Sequence, residues 1–418
     1  MTNPLTDFSD LPLFDRIRPE HVEPAITQLL AEARAAQETV ADPAFPADWK
    51  AIAKVLDVAT ERLGVAWGAV GHLKSVADTP ELRNAYNAVM PQVSEFWTQM
   101  GANERLYAKY KAMDPAALTP EQRQAHKNAI RGFVLSGAEL QGEARTRYAQ
   151  IQDRMAELAQ KFSENALDST DAYAHYAGES EVEGIPGDAL EAAAEGAKAD
   201  GREGYKFTLK LPSYLPVMQY ARSSALRETL YRAYATRASE LAEGDAVKFD
   251  NTAIVREILA LRHEEAQLLG YPDFATVSVV PKMAESPEQV ITFLRDLATR
   301  ARPYALQDLA DLREFAAQEL GLPDPQPWDW PYVGEKLKEA RYSFSDQEVK
   351  LYFPAPKVLA GLFKIVETLF GVAIRRDQAP VWHPSVEFYR IERAGERVGQ
   401  FYLDPGARKG KRGGAWMD

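Results

Sequence analysis

Three times in this chain a hydroxyl residue is followed by a proline and an acid: Thr79-Pro80-Glu81, Thr119-Pro120-Glu121 and Ser286-Pro287-Glu288. Each triplet supplies an N-capping oxygen, a fixed φ suited to the first helical position and a negative charge in the positive first turn. Gln122 and Gln289 stand where they complete a capping box after the second and third starts. Such punctuation commits long stretches to helix. After Ser286, the residues Val290, Phe293, Leu294, Leu297 and Ala301 form one stripe of a 3.6-residue period, so 287–320 reads mainly as helix. Tyr148, Ile151, Met155, Leu158 and Phe162 alternate by three and four, the seam spacing of nearly parallel helices, and predict a long helix pair. Ile254, Ile258, Leu261 and Leu268 make a further stripe over 252–269, with Gly270 placed for a left-handed C-terminal cap.

Strand signals are few. Tyr205, Phe207, Leu209 and Leu211 alternate with Lys206, Thr208 and Lys210 until Pro212, as in a half-buried strand. Val386, Phe388 and Tyr389 stand opposite Val398, Phe401, Tyr402 and Leu403 across Glu392-Arg393-Ala394-Gly395-Glu396, which predicts a hairpin. The stretch 178–204, rich in Glu, Ala and Gly, reads as a short exposed helix between loops. The fold class expected is mainly α, with a small β-sheet near residues 386–416. At 418 residues the chain exceeds the roughly 250–300 over which one core usually divides. Two regions are expected, a helical one over 1–140 and a helical one with the small sheet over 141–418.

Composition removes several classes of function. With 49 Lys+Arg against 61 Asp+Glu and a formal charge of −12, the chain lacks the basic face that nucleic acid requires. It has no cysteine, so disulfides, thiol nucleophiles and cysteine-ligated metals are excluded. No run approaches the roughly 18 apolar residues of a membrane span, and no membrane partner is expected. Asp7, Asp10, Asp15, Glu20 and Glu23 within the first thirty residues argue against an export signal, and a cytoplasmic location is expected.

Local catalytic motifs are missing. The six histidines, His21, His72, His126, His175, His263 and His383, are never closer than 49 residues, so no H-E-x-x-H helix is present. His263-Glu264-Glu265 begins like that motif, but Gln267 stands where its second histidine belongs, and the pair reads as a solvated helix face. The serine-nucleophile elbow, the phosphate loop and the dinucleotide turn are also absent. Gly410-Lys411-Arg412-Gly413-Gly414 is glycine-rich and basic, and reads as a turn leading into a final strand. Trp328-Asp329-Trp330-Pro331-Tyr332 sets aromatics beside an acid, and reads as an anchor at a corner between helices more readily than as a groove. Tyr231, Arg232, Tyr234 and Arg237 share one helix neighbourhood, read as a packed face with exposed arginines.

Several segments in order resemble one family. They are Phe14-Asp15-Arg16-Ile17-Arg18-Pro19-Glu20-His21, His72-Leu73-Lys74-Ser75-Val76, Tyr231 to Ala238, and Leu261-Arg262-His263-Glu264 with Ala266 to Gly270. Trp382-His383-Pro384, Phe401-Tyr402-Leu403-Asp404 and Lys411-Arg412-Gly413-Gly414-Ala415-Trp416-Met417-Asp418 continue the series. Together they resemble the thimet-oligopeptidase-like (M3) family of zinc metallopeptidases from Met1 to Asp418. The resemblance implies an elongated, helical, two-lobed architecture around a narrow channel that admits short peptides, including cleaved signal peptides. It also implies a zinc held by an H-E-x-x-H helix and a downstream glutamate, with the motif glutamate activating the metal-bound water. In the family those groups follow the Gly-Gly-Ala-Trp-Met-Asp segment, so no catalytic residue and no metal ligand is assigned in this sequence. A departure from the family is Gly406, where relatives commonly have tyrosine.

What remains is a substrate role for Gly414, Ala415 and Trp416, whose backbone is placed to pair with a peptide as an added edge strand. The expected function is the N-terminal part of a zinc-dependent oligopeptidase, inactive by itself, with the catalytic domain beyond Asp418 as its intramolecular partner. The alternative is a non-catalytic helical protein that binds peptides or another partner. Either way, an uncovered apolar interface is expected to leave the isolated chain prone to self-association.

Overall fold

The computed structural model describes residues 3–417; Met1 and Asp418, the two ends of the resemblance, lie outside them. The helix starts read from the sequence form as capped. Thr79, Thr119 and Ser286 each accept a hydrogen bond from the backbone three residues on, opening helices Pro80–Gly101, Pro120–Leu135 and Pro287–Glu319. Helices Pro19–Ala41, Val58–Val76 and Pro80–Gly101 bury one core between them, with Ile26, Leu29, Leu63, Val70, Val89 and Phe96 at its centre.

The helix Gly142–Ala172 runs from this layer to the rest of the molecule, touching Pro80–Gly101 on one side and Thr252–Leu268 on the other. The two stripes read separately from the sequence meet here: Ile151, Met155 and Leu158 pack against Ile254, Ile258 and Leu261. Arg147 holds Glu264 at 2.6 Å and Arg154 holds Glu257 at 2.6 Å along the flank of the seam. Gly270, at φ +78, closes the second helix as expected.

Among the described residues there are two small antiparallel sheets. In the first, β1 (His175–Ala177) pairs with β2 (Tyr205–Phe207), and helix Gly187–Ala199 lies beside them, the short helix foreseen within 178–204. The strand expected through Leu211 stops at Phe207. Pro212 does not end a strand; it occupies the first turn of helix Leu211–Tyr220, where its missing N–H costs nothing. In the second sheet β4 (Glu387–Arg393) and β5 (Glu396–Leu403) form the predicted hairpin, with Phe388 opposite Tyr402 and Tyr389 opposite Phe401. Ala394 and Gly395 turn it with φ of +52 and +84, the left-handed pair that a two-residue hairpin loop demands. The third strand, β3 (Ala373–Asp377), carries Arg375, Arg376 and Asp377 and was not foreseen, because its apolar alternation is too short to register. The sheet therefore occupies 373–403 and does not extend to 416, as the sequence reading had it.

Two helices carry apolar stripes that nothing among the described residues covers. On Pro287–Glu319 only Ala316 is buried, while Phe293, Leu294 and Leu297 are about half exposed or more. Helix Ala355–Phe370 buries no residue, and Leu362, Ile365, Leu369 and Phe370 face outward. The molecule exposes 24,704 Å², against roughly 16,000 Å² for a compact monomer of its 46.6 kDa mass.

Candidate functional site

The motifs that carry the family resemblance are scattered over the whole chain, yet several meet at one junction. Helix Val58–Val76 ends there, and its last carbonyls need donors from outside the helix. Residues 404–412, which follow β5, supply them. Arg412 donates its backbone N–H to the Ser75 carbonyl at 2.8 Å, and Arg408 donates Nη2 to the Val76 carbonyl at 2.8 Å. A cation at a helix C-terminus also complements the macrodipole. Gly410 receives the Asp78 N–H on its carbonyl at 3.0 Å. At φ +74, with the Asp78 carbonyl 2.7 Å from where a Cβ would sit, position 410 accepts only glycine without displacement.

Residues 404–412 form a strap, fixed at its start by Asp404. This carboxylate takes two hydrogen bonds from Arg408 at 2.8 Å each, one from Trp382 Nε1 at 3.0 Å, and lies 3.1 Å from Lys411 Nζ. Burial opposes its ionisation, but the bonds from Arg408, Trp382 and Lys411 outweigh that and hold the carboxyl well below the usual carboxylate range. Trp382 also belongs to an aromatic cluster with Phe14, His72 and Tyr402, its ring centre 4.2 Å from that of His72. Segments from both ends of the chain and from the motif at 72–76 thus share one packing site.

Opposite the strap, the last turns of helix Gly142–Ala172 present Asp168 and Asp171. Acids at a helix C-terminus oppose the macrodipole and require cations. Arg83 grips Asp168 through both terminal nitrogens, at 2.6 and 2.8 Å, while also bonding Asp78. Asp171 accepts the Gly410 N–H on one oxygen at 3.1 Å and Lys210 Nζ on the other at 2.6 Å. Sequence reasoning missed this network, since its partners lie up to 239 residues apart. The misplaced pair of acids at the helix end was the signal that could have found it.

Between Asp171, the face of helix Gly187–Ala199, the chain after β2 and the strap lies a cavity of about 490 Å³. Its size falls within the roughly 300–1,000 Å³ of small-ligand sites.

The residues singled out for peptide pairing sit just past the strap. Gly414, Ala415 and Trp416 form no strand; Gly414 has φ +101, and Trp416 lies under the Arg412 guanidinium at 5.0 Å. The final strand expected after Gly410-Lys411-Arg412-Gly413-Gly414 is thus absent among the described residues, because the glycine takes a backbone conformation that breaks extension. Their backbone groups make no hydrogen bond among the described residues.

The histidines are dispersed into unrelated roles. His21 accepts the Arg18 N–H at 3.1 Å, His126 contacts the Tyr110 carbonyl at 2.7 Å, and His383 pairs with Ser385 at 2.7 Å. Among the described residues no group of three His, Asp or Glu side chains comes together to hold a metal, so the described residues do not fit a zinc. In the near-miss motif His263 is exposed and Glu264 pairs with Arg147. Glu265, however, does not sit on a solvated face: it is 6% exposed and, among the described residues, hydrogen-bonded only by Gln152. Burial pushes its carboxyl up. The contribution of this one group to stability is therefore fullest below the unfolded value of about 4.3 and is lost as pH climbs through the raised folded value. Glu265→Gln is expected to abolish that decline, so that denaturant midpoints of variant and parent diverge between pH 4 and pH 8. Parallel midpoints across this range would refute the assignment.

The aromatic motifs are structural. Trp328 donates Nε1 to Ser224 at 3.1 Å with Arg232 over it at 5.1 Å, as the corner reading expected, and Tyr234 stacks on Tyr214 at 4.3 Å in a packed face. Of its two arginines Arg232 is exposed as expected, but Arg237 is half-buried, over the Tyr234 ring at 3.8 Å and bonded to Thr170 at 3.1 Å.

Residues 26–145 match the Neurolysin/Thimet oligopeptidase N-terminal domain, and 217–418 match Peptidase family M3. The whole chain is 46% identical to oligopeptidase A of Salmonella typhimurium and 45% identical to that of Escherichia coli. It is 29% identical to dipeptidyl carboxypeptidase of Salmonella typhimurium. In each of these three comparisons it spans 62% of the relative's length. No helix among the described residues is long and apolar enough to cross a membrane. With a mainly helical fold, the motifs gathered at one junction and these matches along its length, the chain belongs to peptidase family M3.

Proposed function

We propose that these residues form the peptide-accepting helical part of a zinc-dependent oligopeptidase that hydrolyses short peptides in the cytoplasm, cleaved signal peptides among them. The observation that carries this reading is the 45–46% identity to two oligopeptidases A across the entire chain. The metal and the water-activating glutamate are assigned to sequence outside these 418 residues, in keeping with the 62% share of the relatives that the chain spans. No step of the reaction is assigned to a residue of this chain. Residues 1–140 and 141–418 are taken as its two regions, and the unpaired backbone of Gly414, Ala415 and Trp416 as a place for a peptide to align.

The uncovered stripes on Pro287–Glu319 and Ala355–Phe370 support a catalytic domain as intramolecular partner. Burying apolar surface stabilises by roughly 25 cal/mol per Å², so a few hundred Å² of such contact yields several kcal/mol. The test is cleavage of an internally quenched short peptide with zinc supplied. The 418-residue chain is expected to show no turnover, and the product of the native gene, read through an H-E-x-x-H motif, is expected to show turnover that a chelator stops. Chelator-sensitive cleavage by the verified 418-residue chain, or a native gene without the motif, would overturn the reading.

A further inference from the structure

The cavity beside the strap has walls of mixed character. Ala189, Ala193, Phe207 and Pro212 make them largely apolar, while Asp171, Lys210 and Tyr173 add polar groups. Counting hydrogen bonds shows which chemistry it would take. Asp171 already has a partner on each oxygen, Lys210 Nζ at 2.6 Å and the Gly410 N–H at 3.1 Å. Lys210 spends two of its three N–H groups, on Asp171 and on the Lys411 carbonyl at 3.1 Å, and keeps one. Ser213 accepts the Thr208 N–H at 2.9 Å and retains its own hydroxyl proton. The Tyr173 phenol makes no hydrogen bond among the described residues, and burial pushes its pKa up, so it remains a donor at neutral pH.

The charges point the same way. Of the cations lining the cavity, Lys206 is paired with Asp200, Lys210 with Asp171 and Arg408 with Asp404. Lys409, at the rim, has no carboxylate partner among the described residues. Unspent donors and one uncompensated positive charge surround an apolar floor.

We propose that this cavity binds a small apolar carboxylate, the size of one or two residues at the carboxyl end of a peptide, with its anionic group toward Lys409 and the free Lys210 proton. Calorimetric titration of the chain with N-acetyl-phenylalanine and with its amide tests this. The acid is expected to bind at least ten-fold more tightly than the amide. Lys409→Glu, an exposed substitution, is expected to weaken the acid at least five-fold. Ala192→Trp, also exposed and at the cavity wall, is expected to abolish binding of both without changing the thermal transition. A tripeptide ending in phenylalanine separates the sources: binding equal to the acid assigns peptide ends, and weaker binding assigns free small acids. Equal affinity for acid and amide, no binding by a chain with an intact transition, or indifference to Lys409→Glu would overturn the proposal.

Discussion

Replacing Arg227 by methionine is expected to cost about 3–5 kcal/mol of folding stability, the usual consequence of stranding one partner of a buried ion pair. Arg227 and Asp329 have side chains only 1% and 3% exposed, and their charged groups meet at 2.6 Å. Arg227 also bonds the Ala221 carbonyl, reaches the Arg222 carbonyl at 3.2 Å and lies over the Tyr332 ring at 4.4 Å. Asp329 in turn accepts the Ser224 hydroxyl at 2.8 Å and the Gln326 N–H at 2.9 Å. Without the guanidinium, this carboxylate would remain buried with two neutral donors. The pair joins helix Ser224–Ala235 to the start of helix Trp330–Tyr342, so the loss falls on the core around Val217, Met218 and Leu230. A double-mutant cycle with Asp329→Asn, read by urea denaturation, is expected to return a coupling above about 2 kcal/mol. A loss under about 1 kcal/mol for Arg227→Met would show that the pair is not holding the corner.

Asp404→Asn is expected to release the strap, with a loss of about 3 kcal/mol at pH 7, since hydrogen bonds to a charged group each contribute roughly 1.5–3 kcal/mol and are not additive. The asparagine keeps the shape but cannot compensate Arg408 and Lys411, both of which would remain largely buried beside it. The pH dependence gives the sign. Asp404 has its folded pKa depressed, so its contribution is complete above the unfolded value of about 3.9 and fades as pH falls below that toward the folded one. The gap between parent and variant should therefore be widest above pH 5 and shrink in stronger acid. Limited proteolysis after Leu403 should accelerate in the variant at pH 7. A gap that stays constant from pH 7 down to pH 2 would rule out ionised Asp404 as the anchor.

Much of the helical framework was legible because its determinants are local. A capping hydroxyl, a proline and an acid act within one turn, and so Thr79, Thr119 and Ser286 announced their helices correctly. The hairpin at 387–403 was legible for the same reason, its aromatic alternation meeting over a two-residue turn. Leu209 and Leu211 misled: their spacing matches a strand, but Pro212 suits a helix start equally well, and the packing of Tyr214, Val217 and Met218 decided for helix. Glu265 looked like part of a polar face, and only the arrival of helix Gly142–Ala172 removed it from water.

The sequence by itself determined that the chain is mainly helical, where its principal helices begin, that it lacks a complete local catalytic motif, and which family it resembles. These follow from residues acting within a turn or from motifs that need no partner. Tertiary structure alone decided that Asp171 meets Gly410 and Lys210, that Asp404 anchors a strap over the end of helix Val58–Val76, and that a cavity opens between them. Those contacts join residues up to hundreds of positions apart, and their energy comes from desolvated charges whose partners no local pattern specifies.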